Sequence, residues 1–197
     1  VRLSGGTVRY YALKEQNGFR LEPEDFCGAF GEETSLVIIC NPNNPTSTAT
    51  EPEDMRAVLS KCRDRGIFVM IDETYAEFAP EDMSISSTGL LNAFKNFVIL
   101  RGISKFFAAP GLRLGYAMTG NQELLAAVRE RQNPWTLNSL ADAAGKLMFT
   151  DTDYIEKTRH LIASERERVY RELLTWEHVK VYRPYANFIL VRIRKEG

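Results

Sequence analysis

Three polar stretches stand apart in this sequence: residues 41–47 (NPNNPTS), 72–75 (DETY) and 101–105 (RGISK), the last followed by a glycine-bearing loop that reaches Arg113. Together they hold asparagines, a carboxylate, a tyrosine, a lysine and arginines. Lys105 follows a small hydroxyl residue, Ser104, and precedes Phe106 and Phe107. In apolar surroundings a lysine gives up its proton more easily, and the free amine condenses with an aldehyde. Asp72 could pair with a protonated ring nitrogen and so strengthen an electron sink. The guanidinium fork of Arg113 could clamp a phosphate. Each residue also has a plainer reading. Lys105 could snorkel at the surface, Asp72 could form a turn or a helix cap, and Arg113 could pair with a surface acid. Asn44 could make an Asx turn before Pro45. Taken singly these residues decide nothing; a shared location would.

The elements between them predict such a location. Residues 35–40 (SLVIIC), 67–71 (IFVMI) and 97–100 (FVIL) are continuous apolar runs of the kind found in strands buried on both faces. Residues 7–13 (TVRYYAL) and 113–118 (RLGYAM) are further strand candidates. Helices are expected at 23–30 and from Pro52 to about Arg65, with Thr50 and Glu53 at capping-box spacing and Gly66 as the stop. Asn121 can cap a helix reaching about Arg131, Pro134 interrupts, and 137–149 reads as another helix. Asp151 or Thr152 caps a long charged helix to about Leu174, and 179–182 and 188–193 look like strands of a second, incomplete unit. Buried strands alternating with helices mean an α/β fold with a mainly parallel sheet. Ligands of such folds bind beyond the carboxyl ends of the strands, where the three polar stretches fall.

Composition narrows the function classes. With 197 residues and 44% hydrophobic content the chain can build a core. Lys+Arg 25 against Asp+Glu 26 gives no reason to expect a nucleic-acid or membrane partner, and the run Arg192, Arg194, Lys195 reads as a solvated end. Cys27, Cys40 and Cys62 lack CxxC spacing, so they read as free thiols rather than disulfides or metal ligands. No apolar run spans a bilayer and no signal-peptide pattern opens the chain, so the cytoplasm is the expected location. The histidines, His160 and His178, fall in or after the long charged helix, away from the polar loops, and Trp135 and Trp176 read as packing residues. The abrupt start at Val1 and end at Gly197 suggest a fragment of a longer protein.

The strings NPNNPTS, IDETYAEF and SKFFAAPGLRLGY, in this order, resemble the fold-type I pyridoxal-phosphate enzymes, the class I/II aminotransferases. Within that group the chain is similar to the histidinol-phosphate aminotransferases and the threonine-phosphate decarboxylases, with KFFAAPGLRLGY especially like the latter. The resemblance implies the large domain of the pyridoxal-phosphate-dependent transferase fold over residues 1–150, and a linker helix with part of a small α/β domain over 151–197. It implies pyridoxal 5'-phosphate as cofactor. Lys105 then matches the lysine that binds the aldehyde and later moves a proton between substrate carbon and cofactor. Asp72 matches the partner of the pyridine nitrogen. Asn44 and Tyr75 match the pair that shares the phenolic oxygen, and Arg113 and Ser104 match residues at the phosphate. An amino donor, a 2-oxo acid acceptor and a homodimeric assembly are implied as partners.

The sequence also departs from the family. Members often carry Ser or Thr three positions before the lysine, where Gly102 stands here. A glycine-containing helix start for the phosphate, a ring-stacking aromatic and an arginine for the substrate carboxylate match no residue of this chain. Weak cofactor binding and little or no turnover are therefore expected of the 197 residues alone. A decarboxylase of a phosphorylated amino acid and an inactive fragment are the alternatives. A nucleotide-binding domain is disfavoured because no G-x-G-x-x-G follows a strand and opens a helix.

Overall fold

Apolar residues at alternate positions of three short runs generate the centre of the molecule. The computed structural model describes residues 5–80 and 83–194; Val1, Gly197 and the third cation of the 192–195 run, Lys195, lie outside them. Strands β1 (Leu36–Cys40), β2 (Phe68–Asp72), β3 (Phe97–Gly102) and β4 (Gly115–Met118) form one sheet in that spatial order. The first three are parallel and β4 runs antiparallel to β3. β5 (Val179–Val181) and β6 (Val191–Ile193) form a separate antiparallel pair. The helices are α1 (Pro23–Gly28), α2 (Pro52–Asp64), α3 (Ile103–Phe106), α4 (Gln122–Arg131), α5 (Ser139–Met148) and α6 (Thr152–Leu174).

Register aligns Val37 with Val69 and Phe97, and Ile39 with Ile71 and Ile99. All six are buried, in one cluster with Met55, Val58, Leu59 and Cys62 of α2. Full burial of one such side chain contributes about 1.5–3 kcal/mol. The opposite face corrects the expectation of strands covered on both sides. Leu36 and Ile38 are 40% and 50% exposed, whereas Val98, on the same face, is 7% exposed. Cover fades toward β1 because that strand is the sheet's edge among the described residues.

Residues 7–13 make no ladder, contrary to the strand expectation. Their composition suits a pleated surface, but a strand needs a neighbour with free backbone groups. The segment is held by side chains instead: the Tyr11 ring meets Phe26 edge-on at 5.0 Å, and its hydroxyl donates to Asp25 at 2.6 Å. The capping box before α2 is also corrected. Glu51 is the N-cap and makes no side-chain cap bond, while Pro52, with its preset φ, starts the helix. Thr50 is drawn away, because its N–H donates to Asn41 Oδ1 at 2.8 Å. Gly66 does end the helix. At φ +68° it lets its own N–H reach Arg63 O and that of Ile67 reach Cys62 O, which satisfies two orphan carbonyls. Asn121 and Asp151 cap α4 and α6 as expected, and Asn138 caps α5.

The tryptophans do not pack as expected. Trp135 is 89% exposed in the turn between α4 and α5, and Trp176 is 52% exposed past the end of α6, its indole N–H reaching only Glu172. His160 and His178 are exposed. Among the described residues no helix is long and apolar enough to cross a membrane, and no cluster of His, Cys, Asp and Glu could hold a metal.

The β5–β6 pair is held by Glu15, which accepts hydrogen bonds from Lys180, Tyr182 and Arg192. The Lys180 and Tyr182 bonds, foremost, lower the Glu15 carboxyl from 4.5 to about 2. A depressed carboxylate stabilises the fold above its unfolded value and ceases to do so as pH falls through its folded value. The stability gap between wild type and Glu15→Gln is thus expected to be constant above about pH 4.5 and to vanish near pH 2. Thermal unfolding across that range checks this; a gap that persists at the acid end contradicts it.

Candidate active site

Parallel register brings the ends of β1, β2 and β3 together. Cys40 is opposite Asp72, and Asp72 is opposite Leu100. Beyond the ladder the Asn41 N–H donates to Asp72 O at 2.8 Å and the Glu73 N–H to Leu100 O at 2.9 Å. All three polar stretches therefore leave from one sheet edge. The β3–β4 pairing adds the loop that reaches Arg113: Gly102 is opposite Gly115, and the Ile103 N–H donates to Leu114 O at 3.3 Å, so the Arg113 turn lies against the start of α3.

In the 41–47 loop most polar groups serve the loop itself. Buried Asn41 donates to Ile85 O and accepts from Thr50 N–H. Asn43 Oδ1 accepts from Thr46 at 2.9 Å. Buried Ser47, at φ +59°, takes the backbone N–H groups of Tyr185 and Ala186 on its hydroxyl at 3.1 and 2.9 Å. Exposed Asn44 instead donates its amide N–H to the Tyr75 hydroxyl at 3.5 Å. The Tyr75 ring is packed edge-on by Phe188 at 5.0 Å.

Asp72 is half-buried at the end of β2. Its Oδ1 accepts from the Thr74 N–H at 3.0 Å and from the Thr74 hydroxyl at 2.5 Å. Among the described residues its Oδ2 accepts no hydrogen bond from the protein. The next residue, Glu73, turns the other way and is wholly buried. It accepts two bonds from Arg101, at 2.7 and 3.1 Å, one from the Ser87 N–H at 2.6 Å and one from Ser86 at 3.1 Å. Arg101 also binds Glu77 at 2.6 Å, and Glu77 binds Arg159 of α6 at 2.6 Å. Burial alone would lower the Arg101 pKa, but the Glu73 hydrogen bonds and the carboxylate charges outweigh it and raise it.

Lys105 lies on α3 and is exposed, which corrects the expectation of apolar surroundings. Phe106 turns into the core at 3% exposure and Phe107 stacks on Tyr154 at 5.6 Å, so neither ring sheathes the amine. The amine makes no hydrogen bond or ion pair among the described residues. Ser104, beside it, is half-buried. Arg113 is exposed at φ +55°, with one N–H on Pro110 O at 3.0 Å and the rest of its fork open. A Cβ at Gly102 would meet Leu114 O at 3.7 Å and Ser104 Oγ at 3.8 Å, so the missing hydroxyl there is not forced by backbone or space. The thiols offer no rival nucleophile: burial, then the neighbouring Cys27, pushes Cys62 up to about 12, and burial likewise raises Cys27 and Cys40.

Asp72, Asn44, Tyr75, Ser104, Lys105 and Arg113 thus all stand at or just beyond one end of the sheet, on strand β2, helix α3 and the connecting turns. Sequence reasoning missed Thr74, the Glu73–Arg101 pair, Ser47 and Phe188. A hydroxyl two residues after an aspartate is a readable signal; contacts as distant in the chain as Phe188 on Tyr75 leave none.

A family model described as aminotransferase class I and II matches residues 1–196. A putative threonine-phosphate decarboxylase of Caldanaerobacter subterraneus is 34% identical over 98% of this chain and 52% of its own length. A histidinol-phosphate aminotransferase of Methanothermobacter thermautotrophicus is 34% identical over 95% of this chain and 48% of its own. The crystal structure of the histidinol-phosphate aminotransferase from Clostridium acetobutylicum superposes with a TM-score of 0.86 at 34% identity, covering 93% of this chain and 54% of that one. The chain spans about half the length of the curated relatives it matches. On fold and sequence together, it belongs to the class I and II aminotransferase family.

Proposed function

We propose that this chain carries the cofactor site of a pyridoxal-phosphate-dependent aminotransferase, which moves an amino group between an amino acid or amino-alcohol phosphate and a 2-oxo acid. The observation that carries this reading is the convergence of a free amine, a half-engaged carboxylate, an amide–phenol pair and an open arginine fork on one sheet edge. The donor set fits pyridoxal 5'-phosphate. Asp72 Oδ2 is open to a ring N–H, Asn44 and Tyr75 can share a phenolic oxygen, and Ser104 and Arg113 offer donors to a phosphate. Bound there, the cofactor supplies an electron sink for the bonds at the substrate α-carbon. Lys105 would hold the aldehyde of the cofactor, and its amine would carry a proton as general acid and base at the substrate α-carbon. Asp72 would keep the ring nitrogen protonated, a preorganised charge that needs no rearrangement during reaction.

The relatives named as threonine-phosphate decarboxylases favour a second reading, release of carbon dioxide from a phosphorylated amino acid. With pyridoxal phosphate, an amino donor and a 2-oxo acid, amino transfer that depends on the oxo acid is the expected outcome; carbon dioxide evolved without it would replace the first reading with the second. For the 197-residue chain alone the expected turnover is slight, since none of its residues matches a ring-stacking aromatic or a carboxylate-gripping arginine. Fast turnover by this chain would refute that part. We also propose a large domain over 1–150, a linker helix and partial small domain over 151–197, a homodimer and a cytoplasmic location.

A further inference from the structure

We propose that Thr74 is a positioning residue for Asp72, committing one carboxylate oxygen so that the other is the one presented to a ring nitrogen. The inference rests on the functional reading above and extends it to a residue outside the cofactor-contacting set.

A carboxylate has two oxygens and about four acceptor sites, and its last torsion is soft. Left alone at a strand end, it can present either oxygen in many orientations. Here the Thr74 N–H and hydroxyl both reach the same oxygen, Oδ1, at 3.0 and 2.5 Å. The hydroxyl bond is as short as charge-assisted O–H···O⁻ bonds become. Two donors on one oxygen fix the carboxylate plane, and Oδ2 keeps its full acceptor capacity with no protein donor among the described residues. Thr74 is itself held from behind: the preceding residue is the buried Glu73, clamped by Arg101 and the Ser87 N–H.

With Oδ1 committed, the charge of the carboxylate is held where a ring N–H meets it. A proton shared between Asp72 and a ring nitrogen then stays on the nitrogen. Without the hydroxyl the carboxylate can turn, and its charge faces the ring nitrogen only part of the time. A loop-shaping role for Thr74 would not produce this second effect, because the backbone N–H bond suffices to close the turn.

The test uses the 197-residue chain captured with ring-15N pyridoxal phosphate and borohydride, so that the ring stays attached whatever its affinity. The 15N shift of the ring is read across pH for wild type, Thr74→Ser and Thr74→Val, with Thr74→Ala as a second hydroxyl-free variant should valine not fold. Wild type and Thr74→Ser are expected to hold a protonated ring to a higher pH than the hydroxyl-free variants, by roughly one pH unit, the tenfold effect of losing one charge-assisted hydrogen bond. The free cofactor's dissociation constant is expected to rise by about tenfold in the same variants and to recover in Thr74→Ser. Identical ring titrations in every variant would overturn the inference while leaving the functional reading intact. No capture by wild type would overturn both.

Discussion

Replacing Arg101 with methionine is expected to destabilise the chain by about 3–5 kcal/mol, because it strands a buried carboxylate. Glu73 has no exposed side-chain surface, and Arg101 is the cation that meets it, through two nitrogens. Its other donors, the Ser87 N–H and the Ser86 hydroxyl, remain but carry no charge. Methionine keeps much of the arginine stem's volume, so the loss reports the charge rather than a void. The double variant Arg101→Met with Glu73→Gln is expected to recover most of it, since a neutral amide can live on the surviving hydrogen bonds. Urea unfolding of the four proteins gives the coupling energy. A single variant within about 1 kcal/mol of wild type would mean that Glu73 is solvated or neutral in the fold, against its burial.

Lys105→Ala is expected to abolish covalent capture. Wild type incubated with excess pyridoxal phosphate and reduced with borohydride should gain one pyridoxyl group per chain, on the peptide that contains Lys105, and lose its visible absorbance band on reduction. The alanine variant should gain none at that peptide. Lys146 and Lys157, which are exposed and paired with Asp142 and Asp153, serve as comparators for indiscriminate labelling. In any assay where turnover is measurable, the loss of this general acid–base is expected to lower kcat by about 10²- to 10⁴-fold. Labelling spread evenly over surface lysines, unchanged by the substitution, would remove Lys105 from the mechanism.

Much of the architecture was legible in the residues. The runs at 35–40, 67–71 and 97–100 are short, apolar and separated by helix-length polar stretches, so parallel strands follow from pattern alone. Once they lie parallel, their trailing loops must share an edge, which is why Asn44, Asp72 and Lys105 could be placed together. Residues 7–13 failed as a strand because a β-branched and aromatic composition suits a surface and says nothing of whether an edge is free to pair. Thr50 failed as a cap because a long-range acceptor, Asn41 Oδ1, outcompeted the helix end for its backbone. Of the two settings open to Lys105, the surface one is found because neighbours in sequence on a helix diverge in direction: Phe106 turns into the core while Lys105 faces out. Glu73 shows the converse, a charged residue beside Asp72 that looks like solvent-facing punctuation and is instead fully enclosed.

The hydroxyl of Ser47 ties two parts of the chain into one lever. The loop it closes carries Asn44, and the backbone it holds, at Tyr185 and Ala186, leads directly to Phe188 on the ring of Tyr75. Any swing of the β5–β6 pair away from the main sheet must break those bonds or drag the Asn44 loop along. Asn44 and Tyr75 are thereby geared to the position of the second sheet, and its displacement would pull the Asn44 amide and the Tyr75 hydroxyl apart.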